Sequence, residues 1–172
     1  MARRHPLPRV WLITDERQGD LLWTALERLP PGAGIVFRHL SLSSTERRAL
    51  FRQVKQVARG RGLVLVAAGS PLPGGDGVHN RSGAGINTAS AHNLRELRAA
   101  ERCGADLVFL SPVYATRSHP GGKPLGPRRF ALIAHQARVP VIALGGMDAA
   151  RFHSLGGAYG WAGIDAWTSA RP

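Results

Sequence analysis

The sequence predicts an α/β fold, a compact (β/α)8 barrel with several helices shortened or missing. Three observations predict it. Eight short apolar runs of strand length recur along the chain. Segments with helical spacing separate most of them, the pattern of parallel strands joined by crossovers. The runs end in polar or glycine-rich residues, as they do where such barrels bind ligands. Barrels of this kind typically take about 250 residues, and this chain has 172. It can close only if the helices after strands three, four and eight are lost or reduced to turns. An open flavodoxin-like sheet is the alternative.

The elements follow in order. Val10 to Thr14 reads as a buried strand. Gln18 to Leu29 places Leu21, Leu22, Ala25, Leu26 and Leu29 at helical spacing, stopped by Pro30-Pro31-Gly32. Ile35 to Leu40 is the second strand. Ser44-Thr45-Glu46 offers an N-cap for a helix running to Gly60. Leu63 to Ala68 is the third strand, and Ser70 to Gly75 leaves no room for a helix. Gly77-Val78-His79 and Asn87 to Ala91 are strands four and five. Asn93 to Cys103 is helical, with Gly104 as its stop. Leu107 to Val113 is strand six. Pro127 to Ala137 is a helix with proline at its first position. Val139 to Leu144 is strand seven, Ala149 to Leu155 a short helix, and Tyr159 to Trp167 contains strand eight.

Composition narrows the function classes. Hydrophobic residues make up 44% and charged ones 20%, a globular balance rather than a disordered one. No apolar run approaches the roughly 18 residues that span a bilayer. The apolar run Val10 to Ile13 is too short for a signal-peptide core, so no membrane and a cytoplasmic location are expected. The single Cys103 excludes an internal disulfide and is expected as a small buried residue near a helix end.

The formal net charge of +12 is compatible with nucleic acid, membranes or phosphorylated ligands. Nearly all of it is Arg, and it is scattered. The densest patch, Arg47, Arg48, Arg52, Lys55, Arg59 and Arg61, reads as the solvated face of a helix. It lacks the interleaved aromatic residues of a single-strand binder, so a nucleic-acid-binding module ranks third among the readings. Trp11, Trp161 and Trp167 fit packing rather than base stacking.

At the carboxyl ends of the strands the barrel would gather Asp15, Arg38 or His39, His79, Ser90, His92, the stretch from Ser111 to His119, Gly145-Gly146 and Gly163-Ile164-Asp165. The last two loops suit phosphate, because glycine lets backbone N–H groups approach an anion closely. His79 and His92 stand where a histidine serves either acid–base chemistry or a buried hydrogen bond.

Together SAHNLRELRAAERCGADLVFLSPVYATRSHPGGKPLG, VPVIALGGM and GAYGWAGIDA resemble the second half of the thiamine phosphate synthase superfamily, which also holds the thiazole tautomerase (TenI-like) proteins. WLITD, GIVFRH and GGDGVHN match its first half more loosely. The resemblance covers about Val10 to Trp167. It implies a TIM barrel with thiazole phosphate at Gly145, Gly146, Gly163 and Ile164. It also implies contacts from Ser90, Thr116 and Ser118, with His119 at the basic position that follows and Lys123 nearby. Arg38 or His39, depending on the alignment, occupies the strand-two motif that meets pyrophosphate. The resemblance, with the strand-end position of His79, makes Arg38, His79, Ser90 and His119 the catalytic candidates. His39, Thr116, Ser118, Lys123, Gly145, Gly146, Gly163 and Ile164 are the substrate-binding candidates.

The resemblance implies a Mg²⁺ cofactor and a reaction joining an aminopyrimidine diphosphate to a thiazole phosphate. Two departures bear on it. Ala67-Ala68-Gly69 stands where the superfamily carries a Mg²⁺-binding Asp, and no acid follows His79 before Gly83, so no metal ligand is assigned. Pro112 stands where the tautomerase has its histidine, and Asp165 replaces a small hydroxyl residue beside the phosphate loop. The expected partner is a phosphorylated small molecule, which the chain would either transform or only bind. The sequence is also compatible with a homo-oligomer.

Overall fold

The computed structural model describes residues 6–116 and 121–168. Eight parallel strands pair in chain order and close into a barrel. They are β1 (Val10–Ile13), β2 (Gly34–Phe37), β3 (Val64–Ala68), β4 (Gly77–His79), β5 (Ile86–Ala91), β6 (Leu107–Leu110), β7 (Val141–Ala143) and β8 (Gly160–Gly163). Trp161 pairs with Val10, so β8 meets β1 and no sheet edge remains. That closure overturns the open-sheet alternative.

Among the described residues five α-helices stand outside the barrel: α1 (Leu21–Arg28), α2 (Ser44–Gly60), α3 (Leu94–Arg102), α4 (Gly126–Ala134) and α5 (Ala149–His153). They follow β1, β2, β5, β6 and β7. The crossovers after β3 and β4 are loops, and among the described residues β8 is followed only by a 3-10 turn, Asp165–Trp167. The three losses anticipated from chain length are the ones observed. Among the described residues, no helix is long and apolar enough to cross a membrane.

Several expected boundaries move, each for a local reason. Asp15 caps a separate 3-10 turn, Glu16–Gln18, and Gly19 at φ 49° breaks the chain before α1. The N-cap of α2 is Ser43, one residue early. Its hydroxyl accepts from the Glu46 N–H while the Glu46 carboxylate accepts from the Ser43 N–H. β2 ends at Phe37 because His39 adopts φ 35°, outside the strand region. β6 ends at Leu110, three residues before the expected Val113, and 111–116 are loop. β7 covers only three of the six expected residues. Cys103 caps α3 and is exposed, not buried, because Gly104 turns the chain there.

Strand alternation divides the core into an inside and an outside. Trp11, Ile13, Val36, Val66, Leu107, Phe109, Ile142 and Ala162 fill the interior. Trp11 meets Phe109 edge-on, their ring centroids 5.3 Å apart. Gly34 makes room for that indole, since a Cβ there would lie 2.2 Å from the Trp11 ring. The alternate strand positions, Leu12, Phe37, Leu65, Val108 and Leu110 among them, pack outward under the helices. The same alternation carries the next inward positions, Arg38, His79, Ser90 and Ser111, to the mouth of the barrel.

Candidate functional site

A cavity of about 400 Å³ opens at the carboxyl ends of β6, β7 and β8. Its floor is Leu144 and Ala162. Its wall is the loop after β6, with Ser111, Pro112, Thr116 and Lys123, and its rim is Gly145-Gly146 and Gly163-Ile164-Asp165. Arg38 reaches it from β2. Backbone bonds set this rim. Val113 N–H donates to the Leu144 carbonyl at 2.9 Å and Tyr114 N–H to the Gly145 carbonyl at 3.0 Å, so the β6 loop is laid along the end of β7. Gly146 sits at φ 60°, and a Cβ there would fall 2.7 Å from the Ala115 carbonyl oxygen. Only glycine fits that approach.

The charges converge from separate elements. Arg38 and Lys123 both line the cavity. On the other side, Arg17 grips Asp15 through two bonds, Nε to Oδ1 at 2.8 Å and Nη2 to Oδ2 at 3.1 Å. The bond to Arg17 holds the Asp15 carboxyl below the ordinary Asp range. Arg17 is in turn held charged by Asp15 first, with Asp165 adding to it. The carboxylate of Asp165, which alone would repel a phosphate, therefore lies in the field of a guanidinium. Gln18 Nε2 donates to the Ile164 carbonyl at 3.2 Å and ties the β1 loop to the β8 loop.

A second cluster lies on β4 and β5, outside the residues that line the cavity. His79 is 7% exposed. Its Nδ1 lies 2.9 Å from Thr88 Oγ1 and its Nε2 3.1 Å from Ser90 Oγ. Its ring meets Phe109 edge-on at 5.6 Å. Burial, with the nearby charge of Arg38, pushes its pKa down to about 4, so the ring is neutral near pH 7. His92 lines the cavity itself, and its Nδ1 donates to the Ser111 carbonyl at 2.8 Å.

Arg38, Thr116, Lys123, Gly145, Gly146, Gly163 and Ile164 are thus brought together around one cavity. His79 and Ser90 form the neighbouring cluster. His39 is turned away from the cavity: it is buried, stacks on Phe37 at 5.0 Å, and its Nδ1 lies 3.0 Å from Thr14 Oγ1. Burial lowers its pKa. Ser118 and His119 lie outside the described residues.

Two functional neighbours escape the sequence reading. Thr88 was one polar residue in a strand, and only the pairing of His79 with Thr88 across β4 and β5 shows its role. Arg47 belongs to the patch read as a solvated helix face, yet it is 6% exposed. Its guanidinium donates to the carbonyls of Arg38, Ser70 and Ala68 and stands 5.4 Å over the Phe37 ring. Its place on α2 directly over the ends of β2 and β3 corrects the expectation.

The same region bears on a divalent cation. Mg²⁺ wants oxygen ligands, usually carboxylate. At the end of β3 the carbonyl of Ala68 accepts from Arg47 and that of Gly69 accepts from Arg81 Nη1 at 3.0 Å. Two backbone oxygens at the end of β3 thus already accept from guanidinium groups, whose positive charge opposes a cation there. Among the described residues no three His, Cys, Asp or Glu side chains gather as a metal set. These residues do not fit Mg²⁺.

Comparison with known proteins gives a consistent result. Residues 81–167 match the family model TMP-TENI, thiamine monophosphate synthase. A putative thiamine-phosphate synthase 2 of Aquifex aeolicus (strain VF5) is 31% identical over 92% of this chain and 96% of its own length. A thiamine-phosphate synthase of Geobacillus thermodenitrificans (strain NG80-2) is 30% identical over 63% of this chain and 58% of its own. The thiamine phosphate pyrophosphorylase structure from Pyrococcus furiosus superposes with a TM-score of 0.78, covering 96% of this chain and 89% of that one. At 23% identity, that likeness is one of fold.

Proposed function

Because the chain belongs to the thiamine monophosphate synthase family, we propose that its cavity joins an aminopyrimidine diphosphate to a thiazole phosphate. The observation that carries this reading is the convergence of Arg38, Lys123 and the two glycine-rich rims on one cavity of about 400 Å³. The rims at Gly145-Gly146 and Gly163-Ile164 hold the thiazole phosphate through backbone N–H groups. Arg38 and Lys123 meet the diphosphate. The bond between the pyrimidine methylene and the diphosphate oxygen breaks, and its electron pair leaves with pyrophosphate. The thiazole nitrogen then supplies the pair for the new C–N bond. Fixed positive charge favours the first step, because it stabilises charge as it develops on the leaving group. No step is routed through a metal.

The test is an assay with both phosphorylated precursors, beside a relative that carries the metal-site acids. Formation of thiamine phosphate and pyrophosphate supports the reading. No turnover alongside normal turnover by the relative overturns it. A second reading, a binder that holds the thiazole phosphate without transforming it, is favoured by the guanidinium groups at the ends of β3 and β4. It is distinguished by saturable binding in calorimetry without product.

A further inference from the structure

We propose that Thr88 is a positioning residue: it fixes the tautomer of His79 and with it the direction of the hydrogen bond between His79 and Ser90. Thr88 is 1% exposed. Its hydroxyl carries one proton, which it gives to the Val78 carbonyl at 3.3 Å, a group that can only accept. Toward His79 Nδ1, 2.9 Å away, the Thr88 oxygen is left as an acceptor. Nδ1 therefore carries the ring proton. The ring is neutral, so Nε2 is bare. Nε2 lies 3.1 Å from Ser90 Oγ, and Ser90 supplies the proton of that bond.

The chain of donors thus runs from Ser90 through His79 and Thr88 to Val78, all in one direction. The Ser90 backbone N–H is spent too, on Asn80 Oδ1 at 2.7 Å. Ser90 is half-buried, with its oxygen lone pairs as its remaining capacity.

The test uses the full chain with ¹⁵N-labelled histidine, as wild type, Thr88→Val and Thr88→Ser. Long-range ¹H–¹⁵N correlation spectra report which nitrogen of His79 is protonated. The expected result is a protonated Nδ1 in wild type and Thr88→Ser, and loss of that preference in Thr88→Val. A protonated Nε2 in the wild type, or the same tautomer in all three proteins, overturns the proposal. Thermal melts establish that Thr88→Val, an isosteric change, is folded, and Thr88→Ser gives the rescue that a packing role alone would not require.

Discussion

The guanidinium of Arg47 donates to the carbonyl of Ala68, so a buried cation from α2 closes the end of β3. It also holds the Arg38 carbonyl through Nε and Nη2, each at 3.3 Å, and the Ser70 carbonyl at 3.3 Å. One side chain thereby fixes the backbone from which Arg38 enters the cavity. Replacing it leaves buried carbonyls unpaired, each costing about 1–3 kcal/mol. Arg47→Met is expected to destabilise the fold by about 3 kcal/mol, less than the carbonyl sum because water reaches the loop of Ser70. Urea denaturation measures it, and a loss within error of zero would show the guanidinium to be replaceable by water.

The positive charge of the site is protein-borne. Arg38 and Lys123 line the cavity, and the carbonyl oxygens of Ala68 and Gly69 at the end of β3 accept from guanidinium groups. Inorganic pyrophosphate is therefore expected to bind with the same affinity in EDTA as in Mg²⁺. Arg38→Met is expected to weaken it by roughly tenfold to a hundredfold and to flatten its salt dependence. Calorimetry at two ionic strengths reads both effects. A gain of more than about tenfold on adding Mg²⁺ would sink the idea.

The barrel was legible because short apolar runs and helical runs alternate, and because three missing helices are the arithmetic consequence of a short chain. The cavity was legible in part for the same reason. Strand ends define the mouth, so Gly145-Gly146, Gly163 and one of Arg38 and His39 could be placed there by counting. What counting cannot show is the partner of a side chain. Arg47 has the spacing of a solvated helix residue, and only the turn of α2 over the ends of β2 and β3 buries it. His39 could be told from Arg38 only once its positive φ turned it onto Phe37. Thr88 gains a role through register, which no local pattern in β5 encodes.

The rim at Gly146 is expected to tolerate no side chain. A Cβ would stand 2.7 Å from the Ala115 carbonyl and 2.9 Å from Tyr114 Cβ, at a φ that L residues rarely adopt. Gly146→Val should shift the β6 loop and abolish binding of thiazole phosphate in calorimetry. Gly156→Ala, where nothing lies within 4 Å, is the control and should bind as wild type. Unchanged affinity in Gly146→Val would move the phosphate away from this rim.

Stability should fall on mild acidification because His79 is buried neutral. In the unfolded chain its imidazole takes a proton near pH 6.5, whereas in the fold its pKa is about 4. Between these values the unfolded chain binds more protons. The stabilisation is thus complete above about pH 6.5 and is lost as the pH falls toward 4, by roughly 3 kcal/mol over the whole interval. His39, also lowered by burial, acts in the same direction. The lowered carboxyls of Asp15 and Glu16 add their loss only at more acidic pH. Urea midpoints followed from neutral pH to about pH 5 measure the slope. His79→Gln keeps a polar group between Thr88 and Ser90 but cannot take up the proton, so its slope should be shallower by about the histidine's share. Equal slopes in the two proteins would mean that the His79 ring binds its proton alike in the fold and in the unfolded chain, against its 7% exposure.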